Sequence, residues 1–175
     1  MKLQHICSAP CAEIYFDYIN DWVYIDWAGS LTLENVQHTC LQIGHYFLNH
    51  YYPRVLNNNE QVTSVSREVT VWLASEFLPA LSITGVKQMA WVMPVTLRAR
   101  NNVLDVVNLF PHVAISLFDD VEQAVVWLQQ TAPPPPTTGC FMPMRQHADE
   151  LKLAKLIKAF AQRLQASSAT TPSAL

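Results

Sequence analysis

The sequence predicts an α/β domain with a central mixed, mostly parallel five-stranded sheet and an appended C-terminal helix. Three observations predict this fold. A strand pattern leads into a helix pattern between Trp22 and Phe47, the two patterns then alternate up to Gln130, and a proline run precedes a last helical pattern. Strands that alternate with helices need crossover connections, which make neighbouring strands parallel. The predicted order is β-β-α-β-α-β-α-β-α.

The first two predicted strands are rich in aromatic and β-branched residues. They occupy Glu13–Tyr18 and Trp22–Trp27, and residues 1–12 before them are expected to be a flexible N-terminus. Asn20-Asp21 suits a tight hairpin, so these strands should pair antiparallel. The chain is then expected to turn through Ala28-Gly29-Ser30.

The first predicted helix follows this turn. Thr32 is suited to cap its start, and the helix should end near Tyr52 because Pro53 disfavours helical geometry in the residue before it. Apolar residues at spacings of three and four form a stripe that should face the sheet. The stripe comprises Leu33, Val36, Cys40, Ile43 and Phe47.

A short third strand, Arg54–Leu56, precedes four consecutive polar residues, Asn57–Glu60. Such a run is not expected inside a sheet, so residues 57–66 are predicted to form a loop at the carboxyl end of this strand. Ser64 or Ser66 would cap the second helix. The buried stripe of that helix would comprise Val69, Trp72, Leu73 and Phe77.

The remaining elements of the domain follow the same alternation. Pro79 should bend or end the second helix, and Gly85 suits the left-handed residue after a helix end. Asp119 and Glu122 resemble a capping box for the fourth helix. A buried strand, a helix, a fifth strand and the fourth helix are predicted at Lys87–Val95, Thr96–Phe110, Val113–Phe118 and Val121–Gln130.

Composition changes at residue 131. Residues 131–146 include Pro133–Pro136 and are predicted to be a proline-rich linker, followed by an amphipathic helix at 147–166 and a disordered tail at 167–175. Residues 145–163 carry five basic and two acidic residues, whereas residues 1–144 carry six and twelve. Docking on its own domain or on the domain of a second copy is therefore favoured over membrane binding. The apolar face comprises Leu153, Leu156, Ile157, Phe160 and Leu164.

Charge and composition limit the possible functions. Charged residues make up 14% of the 175 residues, against roughly 25% in typical soluble domains. The neutral surface predicts a homodimer. A net charge of −3 argues against nucleic-acid binding. A secretory signal and a transmembrane segment are not expected either, which favours a cytoplasmic protein.

Motifs for chemistry are absent from the sequence. The four glycines are isolated, which excludes the usual nucleotide-phosphate loops and hydrolase elbows. His38, His45 and His50 do not have the spacing of helical metal ligands, and the cysteines have no CxxC spacing, so no metal site or cofactor is expected. Asp26 is interpreted as a solvated carboxylate in preference to a catalytic acid. The sequence therefore does not predict an enzyme.

Two features resemble a known family. Trp22–Gly29 followed by a Thr-capped helix, together with Trp72-Leu73 in the second helix, resembles the STAS domain and in particular its SpoIIAA-like branch, over residues 13–130. The resemblance implies a regulatory or protein-interaction module. The phosphorylated switch of anti-sigma-factor antagonists is not carried over, because Thr63-Ser64-Val65-Ser66 contains no glycine and helix capping accounts for its serines.

An alternative function is a carrier of a small apolar ligand or lipid. The related lipid-transfer architecture resembles the same branch, and the chain contains five tryptophans. A regulatory protein partner is the other possibility. In open α/β sheets binding occurs at the carboxyl ends of strands. The predicted partner or ligand site therefore comprises Asn57, Asn58, Ser64, Ser66 and Arg67.

Overall fold

The computed structural model describes residues 1–108, 114–131 and 147–169. These residues form one mixed sheet with helices on both faces. The strands are β1 (Leu3–Ala9), β2 (Ala12–Asp17), β3 (Trp22–Leu31), β4 (Arg54–Val65), β5 (Gln88–Val92) and β6 (Ala114–Phe118). The α-helices are α1 (Leu33–Asn49), α2 (Arg67–Trp72), α3 (Leu78–Leu81), α4 (Leu97–Asn108), α5 (Val121–Gln130) and α6 (His147–Ala169). A π-helical segment, Leu73–Phe77, joins α2 to α3, and a 3₁₀ turn, Ser82–Thr84, follows α3.

The six strands lie in the sheet in the order in which they occur along the chain. Pairing is antiparallel from β1 to β3 and parallel from β3 to β6, which confirms the mixed, mostly parallel α/β fold and the first hairpin. The prediction of five strands is wrong by one. Leu3–Ala9, expected to be a flexible end, pairs with β2 as an edge strand. The connection Pro10-Cys11 contains no Gly, Asn or Asp, so this hairpin carries no sequence signal.

The predicted turn at Ala28-Gly29-Ser30 is also wrong, because β3 continues to Leu31. The register with β4 shifts between Asp26 and Ala28 and again after Gly29, whose φ is +77°. Glycine adopts this conformation without the Cβ penalty, so it bends the strand without ending it. Thr32 caps α1 as predicted, accepting from the backbone N–H of Asn35 at 3.4 Å. The helix ends at Asn49, slightly before the predicted end.

The largest difference from the sequence prediction concerns β4. This strand has 12 residues and runs through Asn57–Glu60 to Val65, where a loop was predicted. It lies between β3 and β5, and Asn57, Asn58 and Asn59 are all buried. A buried polar side chain is tolerated when it forms hydrogen bonds. The neighbouring strands supply such bonds here.

The segment after β4 follows the predicted helix with one change. Ser66 is the residue that caps α2. Pro79 does not end the helix, since α3 continues to Leu81. Instead, the preceding segment widens into a π-helical turn in which the Leu78 N–H donates to the Leu73 carbonyl, consistent with the missing N–H of proline one residue later. Gly85 has the predicted left-handed conformation, with φ +93°.

The later elements agree in type and order with the prediction. α5 spans the predicted residues, but its cap is Asp120 and not Asp119. The Asp120 carboxylate accepts from the Gln123 backbone N–H at 2.8 Å, whereas Asp119 forms an ion pair with Arg100. Phe110, Val113 and most of the predicted linker lie outside the described residues.

The sheet has two buried faces. We call the side that packs on α1, α2, α3 and α4 the α1 face and the side that packs on α5 the α5 face. Alternate residues of β3 divide between them, with Val23 and Ile25 on the α1 face and Trp22 and Tyr24 on the α5 face. Both faces of the central strands are therefore covered, as expected for a parallel sheet.

The last helix, α6, packs on α1 and on the segment that follows α2. Leu153, Ile157 and Leu164 are buried, and the ring of Phe160 stacks on Trp72 with centroids 5.2 Å apart. Leu156, predicted on the same face, is 42% exposed. Helical residues 167–169 lie in the predicted disordered tail, and residues 170–175 lie outside the described part. Within the described residues, no helix has the length and apolar character needed to cross a membrane.

Candidate functional site

The structure does not bring the five predicted site residues together on one surface. Asn57 and Asn58 lie in the middle of β4 and are only 5% and 3% exposed, so the prediction that they are surface loop residues is wrong. Ser64, Ser66 and Arg67 lie at the carboxyl end of the same strand and the start of α2. The predicted site therefore divides into a buried part and an accessible part.

The two serines of the accessible part form structural hydrogen bonds. The Ser64 hydroxyl lies 2.7 Å from the Ser30 hydroxyl on β3. The Ser66 hydroxyl accepts from the Val69 N–H at 3.4 Å, and its backbone N–H donates to the Leu31 carbonyl. These bonds close the carboxyl ends of β3 and β4 and fix the start of α2, as the capping interpretation of Ser66 predicts.

Charged and apolar side chains are exposed around these serines. Arg67 and Glu68 are both exposed, and the hydrogen bond from Ser66 lowers the pKa of the Glu68 carboxyl. Val71, Val95 and Leu97 are 59%, 76% and 80% exposed. We call the group Ser64, Arg67, Glu68, Val71, Val95 and Leu97 the carboxyl-end surface.

Two contacts hold this surface together. The Thr96 hydroxyl donates to the Thr63 carbonyl at 3.4 Å, which places the connection between β5 and α4 beside the end of β4. Helices α2 and α4 pack against each other, and Val71 lines the same surface recess as Arg67 and Glu68. The three apolar residues are not among the five predicted site residues. Val95 and Leu97 could have been placed at a strand end only if Pro94 had been interpreted as the start of a loop.

The buried part of the predicted site includes a hydrogen-bonded group on the α5 face. The Asn58 amide nitrogen donates to the Tyr24 hydroxyl at 3.1 Å and to Asp26 Oδ1 at 2.9 Å, and its oxygen accepts from the Glu60 N–H. Burial raises the pKa of the Asp26 carboxyl and raises the pKa of Tyr24 to about 12. The interpretation of Asp26 as a solvated carboxylate is therefore wrong in part, because its side chain is half-buried and β4 places Asn58 directly opposite it.

Asn57 has a different environment on the α1 face. Its side-chain oxygen accepts from the Trp27 indole N–H at 2.8 Å. Its amide nitrogen has no hydrogen-bond partner among the described residues, and the same holds for the indole N–H of Trp91. Asn57 and Trp91 are register partners on β4 and β5. Trp27 and Trp91 are not among the predicted site residues, because the strand register that places them beside Asn57 has no local signal in the sequence.

The described residues contain no group of three or more His, Cys, Asp or Glu side chains that could hold a metal ion. His5 forms a hydrogen bond with Glu13 at 2.8 Å, and the Cys11 sulfur lies 3.2 Å from the Thr39 hydroxyl. Cys7, Cys11 and Cys40 are free thiols. Burial raises the pKa of each of these thiols, which disfavours the reactive thiolate.

The sequence matches no protein-family model, and no curated protein matches it. Among solved structures, the fold is similar to an uncharacterised protein of the DUF3478 family with a SpoIIAA-like fold from Shewanella loihica PV-4. That likeness has a TM-score of 0.45 at 13% identity, over 73% of this chain and 92% of that chain. It is also similar to SiaC of Pseudomonas aeruginosa, with a TM-score of 0.42 at 12% identity, over 67% of this chain and 100% of that one. A SpoIIAA-like fold is the one that Trp22–Gly29 and Trp72-Leu73 predict by resemblance.

Proposed function

We propose that the protein is a non-enzymatic protein-interaction module and that its carboxyl-end surface binds a second copy of the chain. The observation that carries this proposal is the exposure of Val95 and Leu97, 76% and 80%, at the end of the sheet where open α/β folds place their binding sites. Single exposed apolar residues are ordinary, but a group of them beside polar residues is typical of an interface. Val71 extends this group on α2.

The charges of the surface favour a second copy as the partner. Arg67 and Glu68 are neighbours of opposite charge. In a two-fold symmetric dimer the same surface is used twice, so Arg67 of one copy can lie opposite Glu68 of the other. The low overall charge, 14% of residues, adds little repulsion between two copies. Ser64 and Ser66 support this surface through their hydrogen bonds, and the proposal assigns them no chemistry.

A charge placed at the centre of the proposed interface tests the function. We expect wild-type protein to be a dimer at tens of micromolar by light scattering, and Leu97→Glu to be a monomer, because dimerisation would bury the new carboxylate against apolar side chains. The matched control is Ile19→Glu. Ile19 is also an exposed apolar residue, 63%, but it lies between β2 and β3 at the other end of the sheet.

Both variants change an exposed side chain, so both should keep the wild-type melting temperature within a few degrees. A wild-type protein that is monomeric at these concentrations contradicts the proposal. So does a pair of variants in which Ile19→Glu dissociates the dimer and Leu97→Glu leaves it intact.

A further inference from the structure

The α1 face of the sheet contains an internal cavity of about 60 Å³. It lies between β3, β4 and β5 on one side and α1 and α3 on the other, and none of the described side chains that line it is charged. Most of its wall consists of apolar side chains, such as Ile25, Val36 and Met89. Asn57 and Asn59 provide its amide groups, and Trp27 and Trp91 contribute indole rings.

A second cavity, of about 270 Å³, lies between α1, the segment after α2 and α6. Leu153, Ile157 and Phe160 of α6 cover it. The two cavities share walls, and the shared residues are Cys40, Ile43, Phe47, Phe77 and Leu81. Together the cavities reach the lower end of the ~300–1,000 Å³ range of small-molecule sites. They are arranged as an inner chamber beside the sheet and an outer chamber under α6.

Two polar groups of the inner chamber distinguish it from a packing defect. The Asn57 amide nitrogen and the Trp91 indole N–H both have no hydrogen-bond partner among the described residues, although the two side chains are only 5% and 8% exposed. An unpaired buried donor is destabilising. The two residues are register partners on neighbouring strands and both line the chamber, which places these side chains side by side on the same face of the sheet.

We propose that the two chambers together bind one elongated apolar molecule that carries a neutral oxygen acceptor, such as a carbonyl group, at one end. The carbonyl oxygen accepts from Asn57 and Trp91 in the inner chamber. The hydrocarbon chain lies among the side chains that the two chambers share, which move aside to admit it, and extends into the outer chamber under α6. The acceptor is neutral because none of the described residues that line the inner chamber is cationic. The Arg163 guanidinium that lines the outer chamber is paired with Glu76 at 2.7 Å. This site is separate from the carboxyl-end surface and does not depend on the dimer.

Titration calorimetry with methyl heptyl ketone tests the proposal on the full chain. We expect wild-type protein to bind this ketone, and to bind nonanoate, a carboxylate with the same number of carbons, at least about tenfold more weakly at neutral pH. Trp91→Phe should weaken ketone binding about tenfold, because it removes one of the two donors. The matched control is Trp22→Phe, since the indole N–H of Trp22 also has no partner in the described part of the chain but lies on the α5 face. We expect this control to bind the ketone within about twofold of wild type.

The comparison of the two ligands on wild-type protein needs no variant, so it decides the question even if Trp91→Phe does not fold. Absence of ketone binding at millimolar concentration overturns the proposal. Equal affinity for the ketone and nonanoate overturns it, since the chamber would then not select a neutral acceptor. Equal losses in Trp91→Phe and Trp22→Phe also overturn it, because the effect would not come from the chamber.

Discussion

Asn57 and Asn58 are neighbours in β4, yet they differ in how far their hydrogen bonds are satisfied. On the α5 face, the Asn58 side chain donates to Tyr24 and Asp26 and accepts from the Glu60 N–H. On the α1 face, Asn57 accepts from Trp27, and its amide nitrogen has no partner among the described residues. Successive residues of a strand point to opposite faces, so the two amides are in separate environments. The fully bonded amide stabilises the fold, whereas the half-bonded one can bind a ligand.

The two faces also differ in how tightly the helices pack on them. On the α5 face, Trp22, Leu56 and Leu128 are 0% exposed and pack in one cluster. On the α1 face, the helices leave the two chambers, and α6 covers the outer one. A well-packed face depends little on a distant part of the chain. The α1 face depends on a helix that follows it by many residues, so the loss of that helix should affect it first.

The largest expected effect comes from deleting residues 133–175, which removes α6. Leu153, Ile157 and Leu164 are buried, and each contributes ~1.5–3 kcal/mol, reduced by the entropy of ordering the helix. We expect the unfolding free energy to fall by several kcal/mol and binding of a hydrophobic dye to increase, as the outer chamber opens. Urea unfolding and dye fluorescence measure the two effects.

A deletion of residues 170–175 alone leaves α6 whole and is the control for this experiment. A chain shortened at residue 132 that unfolds at the wild-type urea concentration and binds no more dye would contradict the prediction. The helix would then be an independent tether.

Alanine substitutions at the two asparagines compare the faces directly. Asn58→Ala removes three hydrogen bonds, those to Tyr24, Asp26 and the Glu60 N–H, although Asp26 keeps its bond with Tyr24. We expect a loss of ~2–4 kcal/mol, since each hydrogen bond contributes ~0.5–1.5 kcal/mol. Asn57→Ala removes the acceptor of Trp27 but also removes an unpaired donor. Its loss should therefore be smaller, ~1–2 kcal/mol.

Urea unfolding of both variants under identical conditions tests this order. Equal losses would show that the unpaired amide of Asn57 has no effect on stability. A larger loss for Asn57→Ala would reverse the assignment of structural and binding roles to the two residues.

The elements predicted correctly are those with local signals. The stripe of α1, its Thr32 cap and the span of α5 depend on residues close in sequence, and they were found. The continuation of β4 was missed because four polar residues in a row suggest solvent, whereas the hydrogen bonds that permit their burial come from β3 and β5, about 30 residues away in each direction. The carboxyl-end surface was predicted in part from strand polarity. The position of the Trp91 indole beside Asn57 could not be predicted, because it depends on the register of β4 and β5.

The smallest expected effect concerns pH and the carboxyl of Asp26. Its pKa is raised in the folded protein by burial, so the folded state keeps a proton that the unfolded state has already lost. Stability from this group is therefore fully present below the unfolded pKa, near 3.8, and decreases as pH rises through the folded value.

Asp26→Asn keeps an oxygen that can accept from Asn58 and removes the titration. We expect the variant to gain stability relative to wild type as pH rises from below 4 to 7, by less than ~1 kcal/mol because Asp26 is only half-buried. Thermal melts at a series of pH values measure the difference, and Glu60→Gln, whose side chain lies at the edge of the same group, is the control. If the stability of Asp26→Asn and of wild type changes in parallel over this pH range, Asp26 does not titrate as a buried member of the α5 face, and the contrast between the two faces then depends on the asparagines alone.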